Sequence, residues 1–170
     1  MVKLLLMPLA LLLSQCNGAN QTHQNTQEQM ENQEQAKEVQ EQQAPIAQGI
    51  SGQVLWISGN QMPSPDAPPS KGRGVQRTLY VYEFTNASQA KTTDGVFHTN
   101  IQTNLVTQVV TDANGNFAVS LEPGTYSLFS KEEKGLFASL YDGEMNINPV
   151  EVQKGQVTAV EFLINYQASY

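Results

Sequence analysis

Residues 107–128, TQVVTDANGNFAVSLEPGTYSL, read as three short strands separated by two tight turns. At Asp112-Ala113-Asn114-Gly115 the Asp side chain can cap a turn, and Asn and Gly tolerate the positive φ of a chain reversal. At Glu122-Pro123-Gly124, Pro presets φ at one turn position and Gly removes the Cβ that would clash at the next. Between the turns Phe117, Val119 and Leu121 alternate with Asn116, Ala118 and Ser120, the period-2 pattern of a strand with one buried face. The expected local arrangement is a meander. A meander cannot stand alone in water, so it requires partner strands elsewhere in the chain.

Those partners lie on both sides. Upstream, residues 50–57 offer Ile50, Val54 and Trp56 to one face and Leu55 and Ile57 to the other, with Trp56 as a core anchor. Residues 75–84, VQRTLYVYEF, are apolar on both faces, which marks a central strand. Between these two runs, residues 60–74 contain Pro63, Pro65, Pro68 and Pro69, which exclude helix and central strand alike and predict a loop. Residues 85–100 are polar and turn-rich and predict a second long connection carrying His98. Downstream, Lys131-Glu132-Glu133-Lys134-Gly135 reads as a solvated loop, residues 136–141 as a short strand and Asp142-Gly143-Glu144 as a turn. Val160, Phe162 and Ile164 form the apolar row of a last strand. No convincing helix pattern occurs after residue 48. The expected fold is therefore all-β, a single sandwich of about seven strands over residues 49–170.

The first 48 residues differ in kind. Lys3, an apolar run over residues 4–13, and then Ser14-Gln15-Cys16 form an export signal in outline, too short for a comfortable membrane span. Residues 1–15 resemble a bacterial lipoprotein signal: Leu13 and Ser14 fit its lipobox, and Gln15 departs from the usual Gly or Ala. The resemblance implies that Cys16 becomes the lipidated end of the mature chain, held by several acyl chains as stable anchoring requires. An ordinary cleaved signal with a free Cys nearby is the plainer alternative. With Asn17 and Gly18 after the cysteine, the resemblance implies an outer-membrane address, on either face. Residues 17–48 are dominated by Gln, Asn and Glu, with Met30, Val39 and Ile46 almost the only sizeable apolar side chains. Such a segment buries too little to offset its conformational entropy, so the expectation is a disordered or partly helical tether.

The functional signals are mostly exclusions. A net charge of −7 argues against a nucleic-acid partner, since phosphate binding needs clustered Lys and Arg. The single cysteine rules out an intramolecular disulfide, and two histidines, at 23 and 98, are too few for a usual zinc site. No zincin, nucleophile-elbow, P-loop or dinucleotide motif occurs, so the expectation is a non-enzyme without a cofactor or metal. Asp112, Asn114 and Asn116 alternate like the start of a calcium loop, yet Phe117 and Pro123 stand where its Gly and closing Glu belong, and turn chemistry explains the same residues.

The order D-x-N-G-N-F at residues 112–117 and P-G-T-Y at residues 123–126 resembles the carboxypeptidase regulatory-like domain, a transthyretin-related, carbohydrate-binding-like β-sandwich, over roughly residues 49–170. The downstream sequence is similar to lipoproteins of the Bacteroidetes type that carry it. The matching motifs are turns, so the resemblance implies a scaffold more than an activity. It implies a non-catalytic envelope lipoprotein presenting an interaction module to an envelope protein or a glycan. Tyr126 is placed to pin a strand corner through its hydroxyl. Among the aromatics, Tyr80, Tyr82 and Tyr141 are the candidate ligand-binding residues. Exposed, they would stack on sugars for a carbohydrate-binding accessory role; buried, they and Phe97, Phe129 and Phe137 would fill the core.

Overall fold

The computed structural model describes residues 45–62 and 71–170. The expectations for the export signal, Cys16, the tether up to residue 44 and residues 63–70 of the proline-rich loop lie outside the described residues. The described chain is an all-β sandwich. Its strands are β1 (Gly49–Asn60), β2 (Arg73–Gly74), β3 (Thr78–Glu83), β4 (Lys91–Thr93), β5 (Phe97–Thr99), β6 (Leu105–Val110), β7 (Asn116–Ser120), β8 (Gly124–Glu132), β9 (Gly135–Phe137), β10 (Pro149–Val152) and β11 (Val157–Ser169). A 3-10 turn at Ala87–Gln89 is the sole helical element among the described residues. The count of eleven exceeds the expected seven because β2, β4, β5 and β9 are two or three residues long, too short for an alternation to show.

β1 is the centre of a four-stranded sheet, with β11 parallel on one side and β7 and β2 antiparallel, end to end, on the other. The second sheet has seven strands in the order β4-β5-β9-β8-β3-β6, with β10 paired to the start of β8. The inner faces meet in one core. Ile50, Val54, Phe117, Phe162 and Ile164 come from the first sheet, and Leu79, Val81, Val109, Leu128 and Phe137 from the second. As the two-faced pattern of residues 75–84 predicted, β3 is internal, between β8 and β6, with Leu79 and Val81 inward and Tyr80 and Tyr82 in a second cluster.

The expected meander is not what forms. β6 pairs with β3, β7 with β1 and β8 with β3, so both turns of residues 107–128 carry the chain from one sheet to the other. Turn chemistry specifies where the chain reverses and not which strand it joins. What marks these corners is polar side chains spent on the backbone. Asp112 Oδ1 accepts from the N–H groups of Asn114 and Asn116, both at 2.8 Å. Thr111 Oγ1 accepts from Arg77 N–H at 2.8 Å and donates to Val75 C=O at 3.1 Å, fixing the passage from β2 to β3. The Tyr126 hydroxyl donates to Glu122 C=O at 2.8 Å, the pin its position predicted. Gln48 donates to Leu121 C=O and accepts from Gly155 N–H, each at 2.8 Å, tying two further corners together.

Two segments differ from their sequence reading. The connection at residues 85–100 contains the β4–β5 hairpin, which extends the second sheet through β9. Lys131-Glu132 continues β8 and turns tightly into β9, so Glu132 is a strand residue with only 5% of its side chain exposed. The charged run suggested a solvated loop because Arg77 and Tyr166, two of the three side chains that hold Glu132, are distant in sequence.

Candidate functional site

On β3, side chains two apart share a face, so Tyr80 and Tyr82 both project from the outer face of the seven-stranded sheet. Cross-strand pairing sets Phe129 of β8 directly opposite Tyr80, and Tyr82 meets the Phe129 ring edge-on at 5.6 Å. Phe129, Ala138 and Ile147 are buried, with Tyr80, Tyr82, Ile101, Leu136 and Tyr141 packed around them. The structure thus brings the three candidate tyrosines onto one small core. Each is half-buried. Tyr141 also donates its hydroxyl to Gly95 C=O at 2.9 Å, clasping the β4–β5 hairpin. Burial raises the hydroxyl pKa of both Tyr82 and Tyr141, and the neighbouring Tyr80 adds to the rise at Tyr82.

His98, expected in a loop, lies on β5 and is fully buried against the rings of Phe129 and Tyr141, at 5.4 and 6.2 Å. Its Nε2 lies 3.1 Å from Ala138 C=O, and a carbonyl only accepts, so Nε2 carries the proton. Nδ1 then accepts from Thr92 Oγ1 at 3.0 Å. Burial lowers the imidazole pKa and outweighs the opposing effect of the Ala138 carbonyl. This histidine holds the hairpin over the aromatic floor in its neutral form.

The carboxylates are engaged in the same way. Glu132 receives Arg77 Nε and the Ser130 hydroxyl on one oxygen and the Tyr166 hydroxyl on the other, all at 3.0 Å. Tyr166 stands on β11 and Glu132 on β8, so this cluster ties the two sheets together. Trp56 flanks it, edge-on to Tyr166 at 5.2 Å and 5.5 Å below the Arg77 guanidinium. Burial raises the Tyr166 pKa, as does its bond to Glu132. Sequence reading missed this cluster; a lone Glu in a charged run gives no signal of its own.

Asp142 repeats the Asp112 device four residues before an Asn. Its Oδ1 accepts from Glu144 and Asn146 N–H at 2.9 and 2.8 Å, and Oδ2 from the Asn146 amide at 2.8 Å. At Asp112, burial pushes the pKa up but the bonds from Asn116, Asn114 and Gly115 together pull it down; at Asp142 the Asn146 bonds lower it. Both carboxylates of the calcium-like and turn sequences are therefore occupied by N–H donors. Among the described residues no group of three or more metal-ligating side chains comes together.

An open groove of about 490 Å³ runs between β10 and the first half of β11, lined by Leu140, Pro149, Val150, Glu151, Ala159 and Glu161 among others. None of its lining residues is aromatic. Compared with protein-family models, curated proteins and solved structures, the chain finds no match in any of the three.

Proposed function

We propose that the chain is a non-catalytic lipoprotein of the bacterial envelope, anchored through Cys16, whose sandwich is an interaction module of the carboxypeptidase regulatory-like type. The observation that carries this reading is how the buried and turn-forming polar side chains are used. Glu132, His98, Asp112 and Asp142 each hold two pieces of backbone or two sheets together, and both polar side-chain atoms of each are engaged in doing so. A group whose lone pairs are filled by structural donors is a poor general base or metal ligand. The work left to the domain is recognition by its surface, with the acidic balance suiting a protein or glycan over an anionic membrane.

The reading is tested in cells on the full chain by acyl-chain labelling and cross-linking. It expects label at Cys16 that Cys16→Ser removes, and adducts to an envelope protein. Absence of label, or turnover of an envelope substrate by the purified chain, contradicts it. The second reading, glycan capture, is favoured by the pairing of Tyr80 and Tyr82 on one outer face with their hydroxyls unbonded among the described residues. Glycan-array binding lost on Tyr82→Ala with the fold intact would establish it in place of a protein partner.

A further inference from the structure

The groove beside β11 ends on a strand edge that pairs with no strand among the described residues, although β10 lies alongside its first half. β11 is thirteen residues long and pairs only with β1. Gly49 N–H donates to Gln156 C=O at 3.1 Å, which fixes the phase of the parallel ladder. With Gly49 opposite Val157, the backbone groups of Thr158, Val160, Phe162 and Ile164 turn toward β1. Those of Val157, Ala159, Glu161 and Leu163 turn away, to the free edge, and the same four side chains are exposed. The neighbouring edge is blunted: in β10, Pro149 has no N–H, and Glu151 C=O already accepts the Thr158 hydroxyl at 2.6 Å. The receiving edge is therefore β11.

The chemistry of the occupant follows from the groove. Glu151 and Glu161 both line it, and neither carboxylate has an ion-pair partner among the described residues. Leu140, Val150 and Ala159 supply apolar contact beside them. A second copy of this chain would bring its own Glu161 and another net charge of −7 to the same edge, and like charges oppose pairing. A sugar would find no ring to stack on. Resting on the interaction-module reading above, we propose that the free edge of β11 takes an extended segment of a partner protein in which apolar residues alternate with Lys or Arg. The segment adds to the four-stranded sheet by main-chain hydrogen bonds and sets a cation in the groove that Glu151 and Glu161 line.

The test uses the full chain and short labelled peptides of alternating Thr and Val, with a central Lys, a central Glu, or the Lys version N-methylated at alternate residues to block edge pairing. Fluorescence anisotropy is expected to show saturable binding of the Lys peptide, weaker binding of the Glu peptide by about tenfold, and none of the N-methylated one. Glu161→Lys should invert the preference between the charged peptides. Ala159→Pro should abolish binding while keeping the melting transition, because Ala159 N–H lies outside the β1 ladder; should it not fold, the Glu161→Lys and N-methylation results decide. The proposal is overturned if the Lys peptide does not bind, as it would not if Glu161 merely guards the edge. It is equally overturned if N-methylation has no effect, if the native chain is a dimer that Ala159→Pro splits, or if an oligosaccharide occupies the groove instead. Peptide failure together with in-cell adducts through another face rejects this site and leaves the module reading standing.

Discussion

At the residue scale, Glu132 and His98 show how buried polarity is made tolerable. Glu132 is held by one cation and two hydroxyls, so removing it takes the acceptor from Arg77 Nε and from the Ser130 and Tyr166 hydroxyls, while Arg77 Nη1 keeps its bond to Gln76 C=O. Glu132→Ala should cost about 2–3 kcal/mol, less than a fully buried pair because Arg77 keeps 31% of its side chain in solvent. Tyr166→Phe should cost about 1 kcal/mol; urea unfolding reads both. His98 predicts a pH dependence of definite sign. Its folded pKa lies below the ordinary imidazole value of 6.5, so below that pH the unfolded chain takes up a proton that the folded chain resists. Stability is full well above 6.5 and should fall as the pH drops below it, by at most about 1.4 kcal/mol per pH unit. His98→Gln should flatten that limb of the melting curve. The two lowered carboxylates, Asp112 and Asp142, act at lower pH, their contribution being present above about 3.8 and lost as the pH falls below that through their lowered folded values.

At the element scale, the loops at 112–116 and 142–146 are one design used twice. In both, the Asp N–H donates to the Asn C=O four residues on, and the fourth residue's N–H returns to the Asp C=O. That fourth residue is left-handed, Gly115 at φ 82° and Met145 at φ 66°. Gly115 is required twice over, since a Cβ there would also collide with Val54 C=O. Gly115→Ala should therefore destabilise by more than about 1 kcal/mol, whereas Met145→Gly should leave stability unchanged or raise it by about 0.5 kcal/mol. Chemical unfolding of the two variants side by side checks the contrast.

These loops also show what the sequence made legible. Asp, Asn, Gly and Pro act locally, so the reversals at 112–115 and 122–124 could be read from the chain. So could the inward alternation of β7, β3 and β11, because burial writes itself in period two. Strand partners could not, because the corners at Thr111 and Gln48 close through residues 34 to 107 positions away. For the same reason the three-residue strands and the Glu132 and His98 clusters left no local trace. The candidate tyrosines were legible as aromatics on one strand face. Their joint packing with Phe129 was not.

At the scale of the whole molecule, the fold depends on a parallel strand joining the two ends of the described domain. β1 is centred between β11 and β7, and Gly52 lets the backbones approach where a Cβ would meet Val160 C=O. The position of each candidate site residue follows from that sheet order. Inter-strand amide and α-proton NOEs in the isotope-labelled chain test it most directly. The account predicts cross-peaks linking Ile50 with Val119 and Val54 with Phe162. Cross-peaks pairing β6 with β7 along their length, as a continuous meander requires, would contradict it.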